Sequence, residues 1–266
     1  MTSVTTKRYM PGAEPFELAG GASGVLLLHG FSGSCFEVRE LGLLLQRAGF
    51  GVLGPALAGH GTHPDDLHGV SADDFFALAE EAYQAARARF KRLYIVGQSM
   101  GGTLGLHLAA KHPLEGLVTI AAPVYMAYPV QQGIPIAHRF SPWRNVISNF
   151  SAWRGEVVGY RTTPTSSLVT FLQVLELVRQ ELPAVRAPLL ALHSVRDETV
   201  PSGNAAYITA RVASEVRRRR LYRTGRHLMT VPPQLALIAP DLIAFLHELE
   251  GAAAASDGAT KGAPRP

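Results

Sequence analysis

The stretch RLYIVGQSMGGTLGLHLAAKHP, residues 92–113, passes from a strand-like run directly into a helix-like one across the pentapeptide G-Q-S-M-G. Residues 92–96 have the β-branched, aromatic and apolar content of a buried strand. Residues 100–111 place Leu104, Leu108 and Lys111 at helical spacing before His112 and Pro113 stop the helix. Ser99 therefore falls at a strand-to-helix turn. In a G-x-S-x-G turn the serine is held in a strained conformation at the tip, and Gly97 and Gly101 leave room because they lack a Cβ. Its hydroxyl is then presented to a ligand. The turn also opens a helix, so the Met100 N–H and the helix dipole favour negative charge in the same space. A tight turn with a serine cap would use the same five residues, and the strand and helix around them favour the nucleophile.

The alternation of strand and helix continues on both sides and implies a mostly parallel α/β sheet with helices on both faces. Residues 24–30, 50–55, 115–123, 187–194 and 214–222 read as further strands, and residues 36–48, 72–90, 166–181, 201–211 and 233–249 as helices. Ser71 is an N-cap, with Asp73 and Asp74 in the positive first turn of its helix. Between residues 124 and 185 the strands lapse into a Pro/Gly-rich aromatic segment and then a helix with an apolar stripe of Leu168, Phe171, Leu172, Leu175 and Val178. A long irregular insertion in a compact domain is usually functional. Residues 124–185 are thus expected to form a cap, or lid, over the C-terminal strand ends, where open α/β sheets bind ligands. The core is expected to comprise residues 1–123 and 186–250, and residues 251–266 a disordered, low-complexity tail.

Composition limits the function classes. With 266 residues and 47% hydrophobic content, the chain can bury a substantial core. It contains no apolar run of membrane-span length, and its first residues lack the apolar stretch of a signal peptide, so a cytoplasmic protein is expected. The single cysteine, Cys35, fits a reducing compartment and reads as a packing residue. The net charge of +4 is mild, and the run Arg217 to Arg220 alternates faces along a strand. Without stacking aromatics it reads as a solvated or ion-paired strand, not a nucleic-acid patch.

A serine nucleophile needs a base, and the base needs a partner that fixes its tautomer and stabilises the imidazolium. Asp197 follows the strand that ends at Ser194, and His227 follows the strand that ends near Tyr222, so both emerge on the sheet edge that carries Ser99. The order Ser, Asp, His is that of a hydrolase fold with a nucleophile elbow. Glu198 adjoins Asp197, and spacing does not separate them; the position in the loop favours Asp197. Of the ten histidines, His29 stands in a loop suited to supply the Phe31 N–H to an oxyanion hole. His60, His63 and His68 lack metal-site companions and read as turn-stabilising. His193 lies within or at the end of a buried strand, and His107, His112, His138 and His247 have no motif.

Taken together, LLLHGFSGS, GHG, GQSMGG, the Asp-Glu loop and HLMT resemble bacterial carboxylesterases of the α/β-hydrolase superfamily, in particular the small carboxylesterase and monoacylglycerol lipase group. The resemblance covers about residues 25–249. It implies an α/β-hydrolase fold with Ser99 as nucleophile, Asp197 as acid, His227 as base, and the main-chain N–H groups of Phe31 and Met100 as oxyanion donors. Arg226 stands where that group usually has glycine. The serine at position 99 separates the chain from dehalogenases and epoxide hydrolases, which resemble this fold but use aspartate there. The expected function is hydrolysis of short-to-medium-chain carboxylic esters, monoacylglycerols among them, with no metal or organic cofactor and a small-molecule ester as partner. Phe140, Trp143, Phe150, Trp153 and Phe171, with Val130, Ile134 and Ile136, are candidates to line the acyl pocket. Thioester or lactone hydrolysis, a ligand-binding receptor on the same fold, and an interaction module built on the cap are the competing readings.

Overall fold

The computed structural model describes residues 8–141, 145–147 and 157–261. In it the aliphatic runs become neighbouring strands. β1 (Phe16–Leu18), β2 (Ser23–Leu28), β3 (Gly51–Gly54), β4 (Arg92–Gln98), β5 (Gly116–Ile120), β8 (Leu189–Ser194) and β9 (Arg217–Tyr222) form one seven-stranded sheet in the order β1-β3-β2-β4-β5-β8-β9. Every pair is parallel except β1 with β3. β2 runs beside β4 from Ser23↔Arg92 to Leu28↔Gly97, which brings the loop after β2 to the turn at Ser99.

Both faces of the inner strands β2, β4, β5 and β8 are buried, and side-chain alternation divides the core into two layers. Leu26, Leu28, Leu93, Ile95 and Leu117 face α2 (Ala72–Arg89), α3 (Met100–Lys111) and α6 (Gly203–Arg211). Val25, Leu27, Tyr94, Val96 and Val118 face α1 (Phe36–Arg47) and α7 (Leu235–Lys261). Ser71 caps α2 as expected: its hydroxyl accepts from the Asp74 N–H, and Asp74 accepts from the Ser71 N–H. On the outer strand β9 all four arginines are exposed. Arg218 meets Glu248 through two bonds of 2.6 Å, and Arg220 lies 3.1 Å from Asp241, an arrangement of ion pairs on an edge strand.

Two expectations need revision. The segment after residue 124, read as irregular, contains α4 (Tyr128–Phe140), which starts with proline in its first turn, where no intrahelical N–H is lost. It also holds the short antiparallel pair β6 (Asn145–Ile147) and β7 (Thr162–Pro164) before α5 (Thr165–Glu181). Of the tail expected to be disordered, residues 251–261 continue α7, whose run of alanines from 252 to 255 has the highest intrinsic helix propensity of any residue, and residues 262–266 lie outside the described residues. The apolar stripe of α5 faces the core: Phe171, Val174, Leu175 and Val178 are buried with the α3 layer, and Leu168 and Leu172 pack beside them.

Candidate active site

Ser99 lies between the end of β4 and the start of α3 with φ 52° and ψ −121°, a conformation that non-glycine residues rarely adopt. Its own N–H is fixed on Ile120 O at 2.8 Å, and its carbonyl accepts from Gly102 N at 2.9 Å. A Cβ at Gly97 would collide with the backbone of Gly101, and one at Gly101 with the backbone of Leu28. The two glycines thus let the elbow close tightly enough for the strain to persist.

Opposite the serine hydroxyl stands His227, with Nε2 3.0 Å from Ser99 Oγ. Its Nδ1 lies 2.8 Å from Asp197 Oδ2. The other carboxylate oxygen, Oδ1, accepts from the N–H groups of Thr199 and Val200, each at 2.8 Å. Glu198, the rival acid, instead pairs with Arg226 at 3.0 Å, so the residues beside Asp197 and His227 are tied to each other. Gln98 supports the histidine loop by donating its Nε2–H to His227 O at 3.0 Å. Burial works to raise the Asp197 carboxyl. Hydrogen bonds from His193 and His227, the charge of the His227 imidazole and the Val200 N–H outweigh it and hold the group well below the usual carboxylate range.

The loop after β2 lies against the same serine: a Cβ at Gly30 would lie 3.2 Å from Ser99 Cβ. Its N–H groups are distributed in a telling way. Gly30 N donates to the Glu37 carboxylate, and Ser32 N donates to His60 Nε2 at 2.9 Å. Between them, among the described residues, the Phe31 N–H has no acceptor. The Met100 N–H occupies the first turn of α3, where no intrahelical acceptor exists. Two main-chain N–H groups on the segments that meet at Ser99 are therefore without an intramolecular acceptor among the described residues.

Sequence reasoning missed Glu37 and gave His193 no role beyond its buried strand, whereas His60, read as turn-stabilising, and His29, read as part of the oxyanion loop, do hold loop backbone. Glu37, fully buried in the first turn of α1, is pushed up to about 7 by burial, against the opposing pull of the Gly30 N–H and His227. His60 is held down to about 3 by burial and by neighbouring His29, and His29 down to about 4 by burial. Both are neutral struts: His60 Nδ1 donates to Ala58 O at 2.7 Å, and His29 Nε2 accepts from Leu57 N at 3.0 Å. His193, buried at the end of β8, places Nε2 3.0 Å from Asp197 Oδ2. The available signal was an ionisable residue inside an otherwise apolar buried run, as in LLALHS for His193.

Among the apolar candidates, Phe171 is buried and stacks on Phe31 with centroids 4.9 Å apart. Phe140 is 82% exposed at the end of α4, and Ile136 and Val130 are also exposed, so these three do not line an enclosed pocket. Ile134 is half-buried. Trp143, Phe150 and Trp153 lie outside the described residues.

The profile of the Hydrolase_4 family, described as serine aminopeptidase S33, matches residues 22–234. The chain belongs to this family. This Hydrolase_4 member is 32% identical over 244 residues to a thermostable monoacylglycerol lipase of Bacillus sp. strain H-257, covering 91% of this chain and 97% of the relative. It is 25% identical over 248 residues to a carboxylesterase of Bacillus subtilis strain 168, with coverage of 89% and 97%. In structure it matches a chain from the work on LipS and LipT, two metagenome-derived lipolytic enzymes, with a TM-score of 0.81 and 27% identity over 91% of this chain and 100% of the other. The α/β-hydrolase fold follows from the sheet and from these matches together. Among the described residues no helix is long and apolar enough to cross a membrane.

Proposed function

We propose that the protein is a serine carboxylesterase that hydrolyses short-to-medium-chain carboxylic esters, monoacylglycerols among them, through an acyl-enzyme on Ser99. The observation that carries this reading is the continuous hydrogen-bonded chain from Ser99 Oγ to His227 at 3.0 Å and from His227 to Asp197 at 2.8 Å. Ser99 Oγ attacks the ester carbonyl while His227 Nε2 takes its proton. The oxyanion that forms is met by the N–H groups of Phe31 and Met100. His227 then returns the proton to the leaving alcohol oxygen. A water molecule, deprotonated by the same imidazole, attacks the acyl-enzyme and releases the acid. Asp197 remains ionised throughout and stabilises the imidazolium. A positioned base contributes about 10²- to 10⁴-fold and an oxyanion donor about 10²- to 10³-fold, so both are needed for an efficient enzyme.

Residues 124–185 serve as the cap in this reading, with α5 setting one wall of the acyl site through Phe171 against Phe31. Ester substrates fit better than the peptides that the family description suggests. An aminopeptidase needs a free carboxylate for the substrate's ammonium group, but among the described residues the acids at this site are all engaged. Asp197 is bound to two imidazoles, Glu37 is fully buried, and Glu198 is paired with Arg226. The single buried cysteine supports a cytoplasmic location.

The test is steady-state hydrolysis of p-nitrophenyl esters from acetate to palmitate, and of monoacylglycerols, by wild type beside Ser99→Ala. Turnover that peaks at short or medium chains and disappears in the variant is expected. Turnover that survives in Ser99→Ala, or no turnover of any ester, would overturn the reading.

A further inference from the structure

We propose that His193 is a positioning residue of the same site, donating its Nε2–H to Asp197 Oδ2 beside His227 and so setting how firmly that carboxylate holds the base. The inference rests on the roles given above to Ser99, His227 and Asp197.

His193 Nε2 faces two acceptors, Asp197 Oδ2 at 3.0 Å and Val200 O at 3.2 Å, so this nitrogen must carry the proton. The ring is 1% exposed and the Asp197 side chain 0%, so no water competes for the contact. A histidine satisfied by a backbone carbonyl would need only Val200 O; here the carboxylate oxygen is the nearer of the two. Asp197 Oδ2 thus receives an N–H from each of two imidazoles, His193 on β8 and His227 on the loop after β9. Oδ1 is held separately by the N–H groups of Thr199 and Val200. The carboxylate would therefore stay in place without His193, and what changes is the charge on the oxygen that faces His227. With one donor fewer, Oδ2 is more negative and holds the His227 imidazolium more tightly. A base that is held protonated cannot accept the serine proton. Other charged groups face this chain too: Glu37 on α1 acts on His227, and Arg226 and Glu198 neutralise each other on the flanking loops.

The experiment compares wild type, His193→Leu and His193→Gln. The glutamine amide nitrogen is the same number of bonds from Cα as Nε2 and can reach the same oxygen. In His193→Leu the acid limb of kcat/KM is expected to move to higher pH by about half a unit to one unit, a loss of roughly three- to tenfold on that limb. Near pH 9 the two enzymes should converge to within about threefold. His193→Gln should restore the wild-type limb. An unmoved limb in folded His193→Leu, or a limb in His193→Gln displaced as in the leucine variant, would overturn the proposal. Should the leucine variant fail to fold, NMR of ¹⁵N-labelled histidine in the Ser99→Ala protein decides the matter. A protonated Nε2 on His193 and a bare Nδ1 support the proposal; the opposite tautomer removes the donor and refutes it. Because this measurement needs no substrate, it separates failure of the His193 assignment from failure of the esterase reading.

Discussion

Ser99, His227 and Asp197 are separated by up to 128 residues in the chain and meet only because each follows the C-terminal end of a parallel strand. That geometry was legible in the sequence, since strand ends are marked by apolar runs and the elbow by its glycines. Glu37 and His193 were not, because their partners are a backbone N–H and a second buried side chain, and neither leaves a local pattern. Asp197→Asn should keep the fold but present an amide to two imidazole N–H donors. A loss of about 10³- to 10⁴-fold in kcat with little change in KM is expected, measured on whichever ester is turned over best. Glu37 gives a second test. Glu37→Leu leaves the Gly30 N–H buried and unpaired, which should lower stability by about 1–3 kcal/mol in urea unfolding and reduce kcat through the displaced Phe31 N–H. Glu37→Gln keeps an acceptor for Gly30 and should retain most of both.

The elements show where pattern reading succeeds and where it stops. The boundaries of α2 and α3 are encoded by residues next to them in sequence, Ser71 and Asp74 for one and the elbow for the other. Ser71→Ala should lower stability by about 0.5–2 kcal/mol in urea unfolding while leaving kcat alone, since α2 carries no group of the site. β1 has three residues on the sheet edge, too few for a period to register, and α4 contains Pro129 and Pro135, which argue locally against a helix. In the proposed reading α5 is the element that joins fold to substrate. Its Phe171 is buried and stacked on the ring of Phe31, whose N–H is the proposed oxyanion donor. Phe171→Leu removes ring volume from that wall without emptying it, and so should cost less than the roughly 3–5 kcal/mol of a truncation to alanine. The optimum in the p-nitrophenyl ester series should move to longer acyl chains in Phe171→Leu and to shorter ones in Phe171→Trp. An unchanged optimum in both would place the acyl group elsewhere.

For the whole molecule, the groups that brace the loop after β2 also govern its response to acid. Unfolded histidine titrates near 6.5, whereas folded His29 and His60 are held down to about 4 and about 3. Each therefore contributes stability that is present above pH 6.5 and is lost as the pH falls below it. Glu37 acts in the opposite sense: its folded value of about 7 lies above the unfolded 4.5, so its contribution is present below 4.5 and is lost as the pH rises through 7. Near pH 5.5, between the two unfolded values, the unfolded chain binds about two protons on the histidines that the folded protein refuses, and the folded protein keeps about one on Glu37 that the unfolded chain has released. The net difference is one proton in favour of the unfolded chain. Stability should thus rise with pH around 5.5 by about 1.4 kcal/mol per unit and level off toward 6.5. Glu37→Gln removes the opposing proton, and the slope should steepen to about twice that value. Urea unfolding at quarter-unit steps from pH 5 to 6, on both proteins, measures the two slopes. A flat wild-type profile would mean that the histidines accept protons within the fold, and equal slopes would mean that Glu37 is already ionised there. The expected pair of slopes would show that one buried network, assembled from β2, α1 and the loop at His60, sets the acid limit of the fold through the same side chains that bind the Gly30 and Ser32 N–H groups on either side of the proposed oxyanion donor.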